Sequence, residues 1–156
     1  MTPLKAGDLA PAFDLPTDGG GRFALPADLG KGLVLYFYPK DDTPGCTNEA
    51  KDFQAALPAF EALGLKVVGA SKDSVKRHDR FKAKYELGFP LVSDEAGGMV
   101  EAYESWVEKT LYGRQYMGID RATFLIDGAG RIVRIWRKVK VPGHVAEVLQ
   151  AAKAEL

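Results

Sequence analysis

One cysteine occurs in this chain of 156 residues, and its neighbours are those of a reactive thiol. Cys46 lies in the run PKDDTPGCTNEA (39–50), directly after an apolar stretch and at the start of a helical pattern. A thiol attacks as its thiolate, and the unpaired N–H groups and dipole of a helix N-terminus favour the anion. Gly45, Cys46 and Thr47 fall in the first turn of that predicted helix. Thr43, three residues earlier, is placed to cap the turn and has a hydroxyl able to reach the sulfur or a substrate. Pro39 and Pro44 stiffen the loop, and a proline there can shield the sulfur from water. Lone cysteines are commonly inert core residues, but the Thr43-Pro44-Gly45 flank argues for an exposed turn. Arg121 supplies a permanent positive charge at the start of a strand-like run; taken alone it reads as a solvated strand end.

The segment LVLYFYPKDDTPGCTNEA (33–50) resembles the active-site segment of the peroxiredoxins, in particular their bacterioferritin-comigratory (PrxQ-type) branch. Pro39-x-x-x-Thr43-x-x-Cys46 fits the family pattern at every defined position. GIDRATFLID (118–127) resembles the family's Arg-x-Ser/Thr-Phe-Leu-Ile-Asp segment, and SKDSVKRHDRF, FPLVSDEAG and PGHVAEVL look like their family counterparts. The resemblance implies a thioredoxin-like fold and a thiol-dependent peroxidase. It implies that Cys46 reduces hydrogen peroxide and organic hydroperoxides through a sulfenic acid. Pro39 would cover the cysteine, Thr43 would contact the peroxide, Arg121 would favour the thiolate and polarise the peroxide, and Glu49 would orient Arg121. No cofactor is implied.

The chain departs from the family at one place. Many members of the branch carry a resolving cysteine five residues after the first, where this chain has Lys51. The expectation is a one-cysteine variant recycled by an external thiol reductant (thioredoxin, glutaredoxin or a small thiol), or paired with Cys46 of another molecule. Because the branch is often monomeric, a monomer is expected, with a dimer open.

The elements around these residues read as an α/β protein. Asp18-Gly19-Gly20-Gly21 is a turn between AFDLP and RFALP, giving an N-terminal β-hairpin extension. Residues 33–38 (LVLYFY) are a continuous apolar run of strand length, the pattern of a central strand buried on both faces. The helix from Gly45 puts Phe53, Leu57, Phe60 and Leu63 on one face, and Pro58 is expected to kink or split it at a cost of about 3 kcal/mol. A strand at 65–70 follows. Asp73 or Ser74 then caps a helix carrying Val75, His78, Phe81 and Tyr85. A short strand at 89–93 and a short helix at Met99–Tyr103 come next. Residues 104–120 fit either a loop or a strand. ATFLID (122–127) and RIVRIW (131–136) form a hairpin, and Pro142 opens a last helix with Val145, Val148, Leu149 and Ala152 as its apolar stripe. Strands alternating with helices, ending in a hairpin and a helix, give one domain over 1–156 with a mixed central sheet flanked by helices.

Composition excludes some classes. Twenty-one basic residues balance twenty-one acidic ones, so no global charge draws the chain to nucleic acid or a membrane surface. No apolar stretch has the length of a membrane span, the N-terminus has no signal-peptide core, and one cysteine cannot form an intramolecular disulfide. A cytoplasmic location is the expectation. His78 lies on an apolar helix face and reads as a satisfied, partly buried histidine rather than a base. His144 falls at a helix start with no nameable partner. One cysteine and two scattered histidines make a poor metal site, and no metal is assigned. Two other uses of a single thiol compete with peroxide reduction: a monothiol disulfide oxidoreductase, although the residue three after Cys46 is Glu49 rather than cysteine, and a redox sensor.

Overall fold

The computed structural model describes residues 3–156, so the first two residues of the segment read above as lacking a signal peptide lie outside the described residues. The chain runs β1 (Phe13–Pro16), β2 (Arg22–Leu25), β3 (Gly32–Phe37), α1 (Pro44–Ala62), β4 (Lys66–Ser71), α2 (Val75–Tyr85), β5 (Leu91–Ser93), α3 (Gly98–Ala102), β6 (Trp106–Leu111), β7 (Arg114–Ile119), β8 (Ala122–Asp127), β9 (Ile132–Trp136) and α4 (His144–Glu155). The central sheet has five strands in the order β5-β4-β3-β8-β9. β3, β4 and β5 run parallel, while β8 pairs antiparallel with both β3 and β9.

The apolar run of β3 sits at the middle of this sheet because both its faces are covered. Val34, Tyr36 and Tyr38 point to the side packed by Phe53, Leu57 and Phe60 of α1 and Val145 and Val148 of α4. Leu33, Leu35 and Phe37 point to the other side, against Phe23 and Leu25 of β2 and Met99, Val100 and Tyr103 at α3. β1 and β2 pair as the expected N-terminal hairpin, with Phe13 opposite Leu25.

One expectation is corrected and one open reading is resolved. Pro58 neither splits nor ends α1, which runs from Pro44 to Ala62 as one helix. The proline forfeits one backbone bond, but Phe53, Leu57 and Phe60 on either side of it are buried. At about 1.5–3 kcal/mol each, three such side chains outweigh a penalty of about 3 kcal/mol. The stretch 104–120, legible only as loop or strand, is an antiparallel pair in which Trp106 faces Ile119 and Leu111 faces Arg114. Tyr112 and Gly113 form its two-residue turn, both with positive φ (51° and 77°), as hairpin turns that follow strand twist require. The pair stands largely in solvent, so it carries little of the apolar alternation by which strands are recognised.

At the core, Phe53 is fully buried and stacks on Tyr36 with ring centroids 4.4 Å apart. Replacing it by alanine should leave a cavity and cost about 3–5 kcal/mol in chemical denaturation. A loss under about 1 kcal/mol would show that α1 is not held on the sheet by this contact.

Candidate active site

β3 ends at Phe37, and residues 38–43 carry the chain to α1. Pro44 is the first helical residue, where its missing N–H costs nothing and its fixed φ suits the helix. Cys46 is therefore the third helical residue, among the N–H groups that have no intrahelical acceptor. Its side chain is buried, only 2% exposed, which corrects the expectation of an exposed turn. The turn is at the surface, but the third helical position points inward, toward Arg121.

Thr43 occupies the N-cap position, yet its side chain does not cap the helix. Its hydroxyl instead donates to the Lys40 carbonyl at 2.9 Å, tying the loop to itself and leaving the oxygen's lone pairs uncommitted. Pro39 is exposed at the start of the loop, and Lys51 is exposed on α1.

Arg121 joins β7 to β8. Since Ala122 pairs with Phe37, Arg121 stands at the same end of the sheet as the loop leaving β3. Its guanidinium makes two bonds. Nη2 donates to Cys46 Sγ at 3.3 Å, and Nη1 donates to Glu49 Oε1 at 2.7 Å. Glu49 lies one helical turn beyond Cys46 and is wholly buried; its Oε2 has no hydrogen-bond partner among the described residues. Burial pushes the Glu49 carboxyl up to about 7, and the charge and hydrogen bond of Arg121 offset only part of that rise. Burial opposes the Arg121 charge as well, but Glu49 and Cys46 outweigh it and raise its pKa. Gly45 makes room for the guanidinium: a Cβ there would lie 3.2 Å from Arg121 Nη2. Sequence reasoning missed that role, although the glycine was in plain view beside the cysteine.

Behind the loop lies a polar cluster of which sequence reasoning named His78 and, as a possible helix cap, Asp73. His78 is completely buried rather than partly so. Its Nδ1 is 2.7 Å from Asp41 Oδ2, and its Nε2 donates to the Val92 carbonyl at 2.9 Å. The Tyr38 hydroxyl donates to Asp41 Oδ1 at 2.5 Å, and the Asp41 N–H donates to Asp73 Oδ2 at 2.8 Å. Asp73 thus moors the loop, and Ser74 caps α2 by accepting from the Arg77 N–H. Asp41, Asp73 and His78 offer donor atoms within 4.8 Å of one another, a spacing that could suit a metal, but each of them is engaged in protein hydrogen bonds. His144 finds the partner that could not be named from sequence: Nε2 lies 2.8 Å from Thr123 Oγ1, and burial pushes its pKa down to about 4.

The Glu49 shift has a sign that can be tested. A carboxyl whose folded pKa is raised from 4.5 to about 7 favours the fold in its protonated form, and that contribution is lost as pH rises through this window. Glu49→Gln removes the titration. The stability of the variant relative to the wild type should therefore climb between about pH 4.5 and 7, by at most about 3 kcal/mol. A pH-independent difference in unfolding free energy would mean that Glu49 is already ionised throughout.

The AhpC/TSA family model matches residues 6–135 of this chain. Peroxiredoxin Bcp of Xanthomonas campestris pv. campestris is 52% identical over 147 residues, covering 93% of this chain and 92% of that protein. Peroxiredoxin Bcp of Bacillus subtilis is 47% identical over 150 residues, covering 96% of each. Among solved structures, a cysteine-to-serine mutant of Xylella fastidiosa PrxQ matches with a TM-score of 0.92 at 44% identity, over 99% of this chain and 98% of that one. The Xanthomonas campestris bacterioferritin comigratory protein, whose structure is described for alkyl peroxide reduction activity, matches with a TM-score of 0.87 at 50% identity, over 91% and 90% of the two chains. These neighbours share the thioredoxin-like architecture of a mixed sheet flanked by helices. The chain belongs to the AhpC/TSA family, within its bacterioferritin-comigratory (PrxQ) branch of thiol-dependent peroxidases, as a one-cysteine member.

Proposed function

We propose that Cys46 is the residue at which this peroxidase attacks its substrate, and that Thr43, Arg121, Pro39 and Glu49 complete the site. One observation carries this reading: Arg121 reaches from the β7–β8 junction to the sulfur at 3.3 Å while held from behind by buried Glu49 at 2.7 Å. A fixed cation at that place stabilises negative charge on sulfur, and the positive end of α1 adds to it. Its remaining N–H groups can polarise a bound peroxide. Thr43, whose proton is given to Lys40, has lone pairs free to accept the hydroperoxide O–H. Pro39 borders the loop and limits access of water, and Glu49 fixes the fork of Arg121.

The chemistry balances simply. The Cys46 thiolate attacks the terminal oxygen of ROOH, an S–O bond forms, and the O–O bond breaks. RO⁻ leaves, takes a proton and becomes alcohol, or water when R is hydrogen. Cys46 is left as the sulfenic acid. A reducing thiol R′SH displaces water to give a mixed disulfide, and a second thiol releases R′SSR′ and restores Cys46. With one cysteine, both electrons come from outside the chain. Thioredoxin, glutaredoxin or a small thiol fits that requirement, in a reducing compartment such as the cytoplasm, with the protein acting as a monomer. Among the described residues no helix is long and apolar enough to cross a membrane. The alkyl peroxide activity described for the Xanthomonas relative supports organic hydroperoxides as substrates beside hydrogen peroxide. Monothiol exchange and sensing are less favoured, because neither needs an arginine bridged to the sulfur.

Stopped-flow oxidation of the reduced protein by hydrogen peroxide tests the reading. Wild type should react several orders of magnitude faster than free cysteine, and Cys46→Ser should be inactive. Arg121→Ala should slow the step by on the order of 10²–10³, the usual loss for a fixed charge-stabilising donor. Thr43→Val should slow it by about tenfold or more, with the fold intact. A wild-type rate like that of free cysteine would sink the peroxidase assignment of Cys46, and unchanged rates in the two variants would sink those roles.

A further inference from the structure

We propose that the buried Asp41–His78 pair is a positioning element for the peroxide step, clamping the loop that carries Pro39 and Thr43 to α2 and β5. The inference rests on Cys46 being the peroxide-reducing residue, and it assigns work to residues outside the Pro39, Thr43, Cys46, Glu49 and Arg121 set.

Residues 39–43 have little regular structure of their own to hold them. The Asp41 N–H reaches the carboxylate of Asp73, and Asp73 Oδ2 is itself fixed by Ser71 Oγ at 2.8 Å. The Asp41 side chain then points into the core, where an isolated carboxylate would be costly. It is accepted there because Tyr38 donates to one oxygen and His78 faces the other. His78 in turn is fixed from behind by Val92 of β5. The clamp thus connects the end of β3, the loop, the start of α2 and β5. A second tie is made at the surface, where Asp42 meets Lys84 at 2.8 Å and the Tyr85 hydroxyl at 2.7 Å, but solvent screens it. The buried pair is therefore the stiff one. Its consequence falls on Thr43, two residues on, and on the first turn of α1 with Cys46.

The protons in the pair are assignable. A carbonyl only accepts, so His78 Nε2 carries hydrogen toward Val92. With Asp41 ionised, Nδ1 must carry hydrogen too, and the contact is a carboxylate against an imidazolium. The groups facing His78 are Asp41 from the loop, Asp73 from the β4–α2 turn with Arg77 at 3.4 Å behind it, the Tyr38 hydroxyl at 3.5 Å from the end of β3, and the Val92 carbonyl from β5. Burial works against the charged ring, but Asp41, with help from Val92 and Asp73, raises its pKa above 6.5. The sign follows. The clamp is fully formed below 6.5 and is lost as pH rises through the higher folded value, when a ring lone pair comes to face a buried carboxylate.

Two substitutions at Asp41 separate positioning from mere stability, with the peroxide rate constant followed across pH. Asp41→Ala removes the clamp and should lower the rate constant by on the order of 10–100-fold, the scale of a misplaced catalytic geometry. Asp41→Asn should rescue it, because the amide N–H can donate to Nδ1 of a neutral His78 while the amide oxygen accepts from Tyr38. That variant no longer needs the extra ring proton, so the alkaline decline of the wild-type profile should flatten or move. Circular dichroism would report whether each variant folds. The inference is overturned if Asp41→Asn keeps the wild-type pH profile, or if folded Asp41→Ala reacts at the wild-type rate. A wild-type rate no higher than that of free cysteine would instead overturn the peroxidase reading itself.

Discussion

The site depends on one cation held between two acidic groups on the same helix. Cys46 and Glu49 are three residues apart, so they lie on one face of α1 a turn apart. The planar fork of Arg121 spans that distance with separate nitrogens. A lysine would have to serve both from a single nitrogen. The antiparallel register of β3 and β8 places the fork, because pairing Phe37 with Ala122 brings Arg121 to the edge where β3 gives way to the loop. A one-residue slip would turn the arginine to the opposite face of the sheet. The central sheet is thus part of the site as much as a support for it.

Burying this arrangement has an electrostatic cost that Glu49 carries. Were Cys46, Glu49 and Arg121 all charged, the site would hold one net negative charge away from water. With the Glu49 carboxyl pushed up to about 7, that group can take a proton near neutrality, which lessens the charge held away from water. The same burial that makes Glu49 costly removes competing water from around Arg121, which strengthens the field felt by the sulfur. Positioning and destabilisation here have a single origin.

Much of this was legible in the sequence because short-range patterns encode it. The double-faced run LVLYFY became β3, Pro44 opened α1, and the hairpin β8–β9 followed from two apolar runs around Gly128-Ala129-Gly130. The pairing of Cys46 with Arg121 came from the resemblance, since nothing local links residues 75 positions apart. What escaped notice shares that long-range character. Asp41 was not singled out, and Asp73 read as a possible helix cap. Their burial is decided by α2 packing against the end of β3, which no local pattern records. Thr43 read as a cap because its position is a cap position, but its hydroxyl turns back and donates to the Lys40 carbonyl instead. The β6–β7 arm lies on the outside, where the apolar alternation that reveals strands is weakest.

Cys46 is thus located by two independent supports meeting at one short stretch of chain. From below, Arg121 and Glu49 fix the sulfur against the sheet. From behind, Asp41 with His78, and Asp42 with Lys84 and Tyr85, tie the preceding loop to α2. The two supports approach from opposite directions, one through β8 and the other through α2 and β5. The geometry between sulfur and hydroxyl therefore reflects the packing of the whole sheet rather than the eight residues from Pro39 to Cys46. That explains how a surface loop rich in charge can carry a site that demands fixed distances.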